Sequence, residues 1–367
     1  MFKFFFLPVK LATKYMSTDT QLVRLGSERA VGSWLVLCAF LIFVMVSLGG
    51  VTRLTGSGLS MVHWEPLSGV IPPISEADWQ DEFSNYRATP EYGKVNLGMD
   101  VDEFKTIFYF EYTHRMLGRL IGLVFLLPFM YFYFRRRIEK RVASRYLIML
   151  ILGGLQGLLG WYMVQSGLVD VPTVSHYRLT AHLAAAILIY SYILWMAFPL
   201  LLPRGVREYK SGVGGKAVIT MLIILLTLLS GGFVAGLKAG HVFNTFPLMA
   251  GHIIPVGYFL MDPWWRNLFD NIPAVQFNHR YLGIFTFISV CLFVFNAWRD
   301  LIMKRHHWAL TSLLLIVTIQ GLLGISTLLL HVPVVMATAH QGAGLLLLTV
   351  ALYIVYLTGG KIRSEQQ

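Results

Sequence analysis

The stretch EYTHRMLGR, Glu111 to Arg119, opens a long apolar run that continues through Tyr133. Glu111 and His114 stand three residues apart, so on a helix they share one face. An ionisable pair at the mouth of a membrane helix is costly to place there and generally has a task. The stretch also has an echo. QFNHRYLG, Gln276 to Gly283, repeats its His-Arg-x-x-Gly core but lacks the carboxylate.

Working outward, the 367 residues are 56% hydrophobic and only 13% charged, which excludes an ordinary soluble domain. A membrane-spanning helix needs about 20 consecutive apolar residues. Eight such runs are present, at 33–51, 107–134, 146–166, 178–202, 217–237, 279–298, 309–330 and 335–357. The formal charge of +11 could point to nucleic acid in a soluble chain, but its distribution here is topological. Lys3, Lys10, Lys14, Arg24 and Arg29 precede the first run. Arg135, Arg136, Arg137, Lys140 and Arg141 follow the second, and Arg204, Arg207, Lys210 and Lys216 follow the fourth. The long first loop, 52–105, is instead acidic, with Glu65, Glu76, Asp78, Asp81, Glu82, Glu91, Asp100, Asp102 and Glu103. Basic loops stay inside, so both termini are expected inside and the acidic loop outside. The short N-terminal region favours a bacterial plasma membrane over a mitochondrial inner membrane. Cys38 and Cys291 both fall in apolar runs and read as small buried hydrophobes.

The chain repeats itself. Leu48-Gly49-Gly50 is matched by Ser230-Gly231-Gly232, and Gln156-Gly-Leu-Leu-Gly160 by Gln320-Gly-Leu-Leu-Gly324. Thr180-Ala-His182 is matched by Thr338-Ala-His340. The matches keep order and spacing, as expected of a duplicated membrane fold. The expected fold is therefore all-α and integral to the membrane, with eight transmembrane helices as two tandem four-helix bundles. Its parts are a basic tail (1–30), an N-terminal unit (31–203) carrying the outer loop, a basic inner linker (204–216), a C-terminal unit (217–357) and an inner tail (358–367).

His114, His182, His279 and His340 all open inward-running spans and should lie at similar depth near the outer face. Two histidines facing each other across a bundle are what a low-spin heme iron requires. A small residue stands four positions after each: Gly118, Ala186, Gly283 and Gly344. That spacing offers relief for a flat macrocycle beside its ligand. Arg115, Arg178 and Arg280 lie at the same level and are candidates to pair with propionates; interface anchoring is the bland alternative. Gln156 and Gln320 read as interhelical hydrogen-bond glue. The remaining histidines lack a full set of repeat partners and read as structural.

The two histidine sites differ at one position: Glu111 in the first is Gln276 in the second. A carboxyl beside one heme only implies that this heme is acted upon by proton transfer, while the other serves as a cofactor. The alternative is that Glu111 merely bonds an arginine or backbone group. Spacing alone leaves both readings open.

The strings LGGVTRLTGSGLSMVHWEPLSGVIPP (48–73), EYTHRMLGRLIGL (111–123), TAHL (180–183), VQFNHRYLG (275–283) and TAHQGAG (338–344) resemble the heme A synthase family. The acidic first loop, with YRATPEY at 86–92, resembles its proteobacterial and mitochondrial branch. The resemblance implies oxidation of the C8 methyl of heme O to a formyl group, through hydroxylated intermediates, to give heme A for terminal oxidases. It implies that His114 and His182 ligate the substrate heme, that His279 and His340 ligate a heme b relaying electrons, and that Glu111 assists the oxidation. A heme O synthase would be a fitting partner. Some members carry a cysteine pair in the first outer loop; this chain has none there. Two other readings compete on the residues alone: a two-heme cytochrome exchanging electrons with quinone, and a transporter with a histidine proton relay.

Overall fold

The computed structural model describes residues 18–65, 69–169, 171–202 and 211–359. Most of the basic tail, residues 204–210 of the linker, residues 360–367 and the repeat-motif residues Pro66 and Leu67 lie outside the described residues. The described residues form ten α-helices and short 3-10 turns: α1 (Thr18–Leu54), α2 (Glu76–Arg87), α3 (Pro90–Lys94), α4 (Val101–Phe134), α5 (Lys140–Gln165), α6 (His176–Leu201), α7 (Gly214–Gly236), α8 (Ile272–Ala297), α9 (His307–Leu329) and α10 (Val334–Thr358). Eight of them, all but α2 and α3, are long and apolar enough to cross a bilayer. Each overlaps one of the eight expected runs, and the protein is a multi-pass membrane protein.

Several helices begin earlier than hydropathy places them. α4 starts at Val101 because Asp100 accepts from the backbone N–H groups of Asp102 and Glu103 while Glu103 reaches back to cap Asp100. α8 starts at Ile272 under the Asn271 side chain, with Pro273 in its first turn. These polar starts are invisible to an apolar window. They set Glu111 and His114 well inside α4, and His279 well inside α8, rather than at helix mouths.

α1 packs on α4 and α6, and α5 packs on the same two; α7 and α9 both pack on α8 and α10. Between these groups α1 meets α10 and α6 meets α7. Close approach at these seams needs small residues. Gly232 faces Thr180, and Gly50 faces the Gln341 side chain, whose amide donates to the Val46 carbonyl at 2.9 Å. Tyr190 and Thr349 share a hydrogen bond of 2.7 Å across the same divide. At another contact Asp270 takes hydrogen bonds from His176 (2.9 Å) and Tyr177 (2.8 Å) and from Arg266 (3.1 Å). Burial works to raise the Asp270 carboxyl, but those three partners outweigh it and hold it low.

The acidic loop has a small core of its own. Trp79, Phe83 and Tyr86 of α2 pack against Phe104 and Phe108 of α4, so the loop is fastened to the helix that carries Glu111. Cys38 and Cys291 are both free, Cys38 fully buried.

Candidate functional site

The four singled-out histidines meet in two pairs. His279 and His340 face each other with ring centroids 6.3 Å apart and planes at 90°. His114 and His182 lie within electrostatic reach of one another in the other half. Each imidazole rests on a glycine of a neighbouring helix. A Cβ added at Gly49 would lie 3.0 Å from His114 Cε1, at Gly160 2.8 Å from His182 Cε1, at Gly231 3.2 Å from His279 Cε1 and at Gly324 2.8 Å from His340 Cε1. Gly49 and Gly231 are the first glycines of LGG and SGG, and Gly160 and Gly324 close the two QGLLG motifs. The motifs were legible as repeats, but their contact with the histidines was not. Of the small residues four positions after a histidine, Gly283 faces open space, Gly118 faces Met45, and Gly344 is packed against Leu228 and Gln320.

Glu111 is 4% exposed, and both its oxygens are occupied. Oε1 accepts from Arg115 Nη2 at 2.6 Å and Nε at 3.1 Å; Oε2 accepts from the Ser60 hydroxyl at 2.8 Å and the Met61 N–H at 2.9 Å. Arg115 also donates to the carbonyls of Met61 (2.8 Å) and His63 (2.7 Å), which straps the outer loop over the histidine. Arg280 makes the corresponding strap in the other half, to Phe243 and Thr245. There Gln276 replaces the carboxylate. It donates to the Phe243 carbonyl at 3.0 Å and leaves its own Oε1, and the Arg280 Nε, buried without a protein partner. Arg178 donates to the Tyr162 carbonyl and lies 3.7 Å over the Tyr162 ring. All three arginines thus anchor backbone or aromatic groups near the histidines. Of the three, Arg280 alone keeps a buried donor with no protein partner.

Gln156 donates to the His182 carbonyl at 2.9 Å, the interhelical role expected of it. Other histidines serve locally: His176 on Asp270, and His307 on the Trp298 carbonyl at 3.0 Å. Above the Glu111 site, Met61, His63, Glu65, Glu82, Arg115 and Arg119 line a small polar recess. Burial pushes the Glu82 carboxyl up. Glu91, in α3, is buried and hydrogen-bonded by Tyr86; burial first, and then the charge of Glu111, push it up to about 7. Neither signal was taken from the sequence, where Glu82 and Glu91 counted only as loop acids.

The chain matches the family model COX15-CtaA, described as cytochrome oxidase assembly protein, over residues 32–352. The protein belongs to this family of cytochrome oxidase assembly proteins. Curated relatives agree over nearly their whole length. A heme A synthase of Nitrosospira multiformis is 47% identical over 94% of this chain and 97% of its own. One of Nitrosomonas eutropha is 49% identical over 88% and 91%, and one of Paramagnetospirillum magneticum 46% over 92% and 96%. The spacing of the His279/His340 pair fits an iron porphyrin. Two metal–imidazole bonds of about 2 Å each, plus about 1 Å from each nitrogen to its ring centre, come to about 6 Å, against the 6.3 Å observed. Among the described residues no three His, Cys, Asp or Glu side chains gather as a protein-only metal site.

Proposed function

We propose that this protein is a heme A synthase, oxidising the C8 methyl group of heme O to the formyl group of heme A. Near full-length likeness to heme A synthases supports the activity. The observation that carries the site assignment is the exchange of Glu111 for Gln276 beside corresponding arginine straps. The N-terminal unit, 31–203, receives heme O between His114 and His182. The C-terminal unit, 217–357, holds heme b between His279 and His340. Heme b supplies one-electron transfer. Both termini face inside and both sites lie toward the outer side of a bacterial plasma membrane, as the charge pattern favours. A heme O synthase delivers the substrate, and a separate redox partner handles the electrons.

Within the substrate site the chain's own groups divide the work. Arg115 clamps Glu111 from one side through two charge-assisted bonds. Ser60 is the adjustable partner. Its hydroxyl reaches Glu111 Oε2, but also the carbonyls of Ser57 at 3.0 Å and Ile107 at 3.4 Å. Rotation of that hydroxyl toward Ser57 frees Oε2 to take a proton during oxidation of the methyl group. Gln276 has no such capacity, which suits the second site to a resident cofactor. Arg280 Nε, buried without a protein partner, is the propionate donor on the heme b side.

The test is to express the chain in cells that make heme O but no heme A, and to extract and identify the hemes. Formyl-bearing heme A in the extract is the expected result. Two b-type hemes, with heme O left unchanged, would instead describe an electron carrier.

A further inference from the structure

The two histidine pairs differ in what holds the far side of each ring. In the C-terminal unit both Nδ1 atoms are bonded. His279 Nδ1 meets the Ser230 hydroxyl at 2.7 Å, and Ser230 in turn donates to the Thr227 carbonyl at 2.7 Å. With its hydrogen committed there, the hydroxyl oxygen accepts from His279 Nδ1–H. His340 Nδ1 lies 3.1 Å from the Gln320 carbonyl, which can only accept. Both rings are therefore fixed in the tautomer that presents a bare Nε2. In the N-terminal unit Nδ1 of His114 and Nδ1 of His182 are buried with no protein partner.

The difference beside the first histidine is written in the sequence. Counted from the glycine under each ring, Leu48 takes the place of Ser230 and Met45 that of Thr227. Counted from the histidines, Ile121 takes the place of Thr286. In the C-terminal unit Thr227 and Thr286 share a hydrogen bond of 2.6 Å and extend the polar chain behind His279. The same three places behind His114 are wholly apolar. A partner on the remote nitrogen orients an imidazole and raises its basicity toward a metal, and its loss typically costs about 10–100-fold in affinity.

We propose that Ser230, backed by Thr227 and Thr286, makes the C-terminal pair a retaining site, and that Leu48, Met45 and Ile121 make the N-terminal pair a releasing one. Ser230 is a positioning residue acting through His279. The inference rests on the heme assignment proposed above: the enzyme must keep one heme and let the other go, and the outer hydrogen bonds sort the two. The handover of product is thus built into the ligands rather than left to a moving gate.

The test uses the purified full-length protein loaded with both hemes. Release of each heme to excess apomyoglobin is timed, the released heme is identified by extraction, and the low-spin EPR g-values of each site are recorded. Ser230→Ala is expected to release heme b about 10-fold faster and to shift its g-values, with Ser230→Thr restoring both. Leu48→Ser is expected to slow release from the N-terminal site by about 10-fold. Heme b leaving Ser230→Ala at the wild-type rate with unchanged g-values overturns the proposal. Wild-type release from Leu48→Ser does so independently, should Ser230→Ala not assemble. Faster release of heme O or heme A from Ser230→Ala would instead overturn the site assignment and leave the hydrogen-bond argument standing.

Discussion

Glu111 and Gln276 stand in matching places, three residues before His114 and His279, each beside an arginine strapped to two loop carbonyls, Met61 and His63 in the first half and Phe243 and Thr245 in the second. In the first half a buried ion pair closes the arrangement, with Arg115 on one oxygen and Ser60 and Met61 on the other. In the second the ion pair is gone, while a hydroxyl and a carbonyl secure the two rings from behind. One site has a buried carboxyl and histidines whose Nδ1 atoms lack a protein partner; the other has histidines bonded from behind and no carboxyl. On the proposed assignment, a few side chains around two similar histidine pairs separate chemistry from cofactor retention.

The sharpest way to break this comparison is to remove a ligand. His279→Ala or His340→Ala should lose heme b, weakening its retention by more than about 100-fold, beyond the cost of an outer hydrogen bond. The same change at His114 should spare heme b. Heme extraction checks this, and equal loss from both variants would mean that the two sites are not independent. Next in size is the glycine under each ring. Gly324→Ala and Gly160→Ala each place a Cβ 2.8 Å from an imidazole carbon and should cost about 1–3 kcal/mol in overpacking. Gly231→Ala, at 3.2 Å, should cost less. Thermal unfolding and heme content read the order.

A smaller effect is expected at Ser60. Ser60→Ala removes the adjustable partner of Glu111 and should lower heme A formation about 10-fold, or about 1.4 kcal/mol, without touching heme b. Unchanged turnover would assign Ser60 to packing alone. Another effect lies outside the membrane. Glu91 is pushed up to about 7, so the folded protein favours its protonated form. Any penalty is therefore absent below the ordinary carboxylate range, grows as pH rises from there to about 7 and levels off above it. Glu91→Gln should therefore match the wild type at pH 4 and exceed it at pH 8, by no more than about 3 kcal/mol. A wild type more stable than the variant at pH 8 would contradict the burial argument.

Much of this was legible in the amino-acid order because the membrane imposes long apolar runs and several motifs occur twice in the same order. The eight spans, the four histidines and the single Glu111/Gln276 difference came from those two facts. Helix starts were not legible where capping by Asp100 or Asn271 extends a helix into polar sequence. The glycines beneath the imidazoles were not legible, since Gly49 and Gly160 reach their histidines across helices and no spacing within one helix shows it. In sequence Arg115 reads as a propionate partner or an interface anchor, and a bond from an arginine to Glu111 is left open; its hydrogen bonds go to Glu111 and two loop carbonyls. The Gln320 carbonyl behind His340 could not be foreseen, because Gln156 stands at the matching place and bonds differently.

The most direct measurement exchanges the two distinguishing residues. Glutamine is the informative replacement for Glu111, since alanine would leave the largely buried Arg115 without its partner at a cost of about 3–5 kcal/mol. Hemes extracted from purified wild type, Glu111→Gln and Gln276→Glu should be identified and quantified. The account predicts heme b in all three, heme A from the wild type and Gln276→Glu, and heme O without heme A from Glu111→Gln. Heme A at wild-type levels in Glu111→Gln would contradict it.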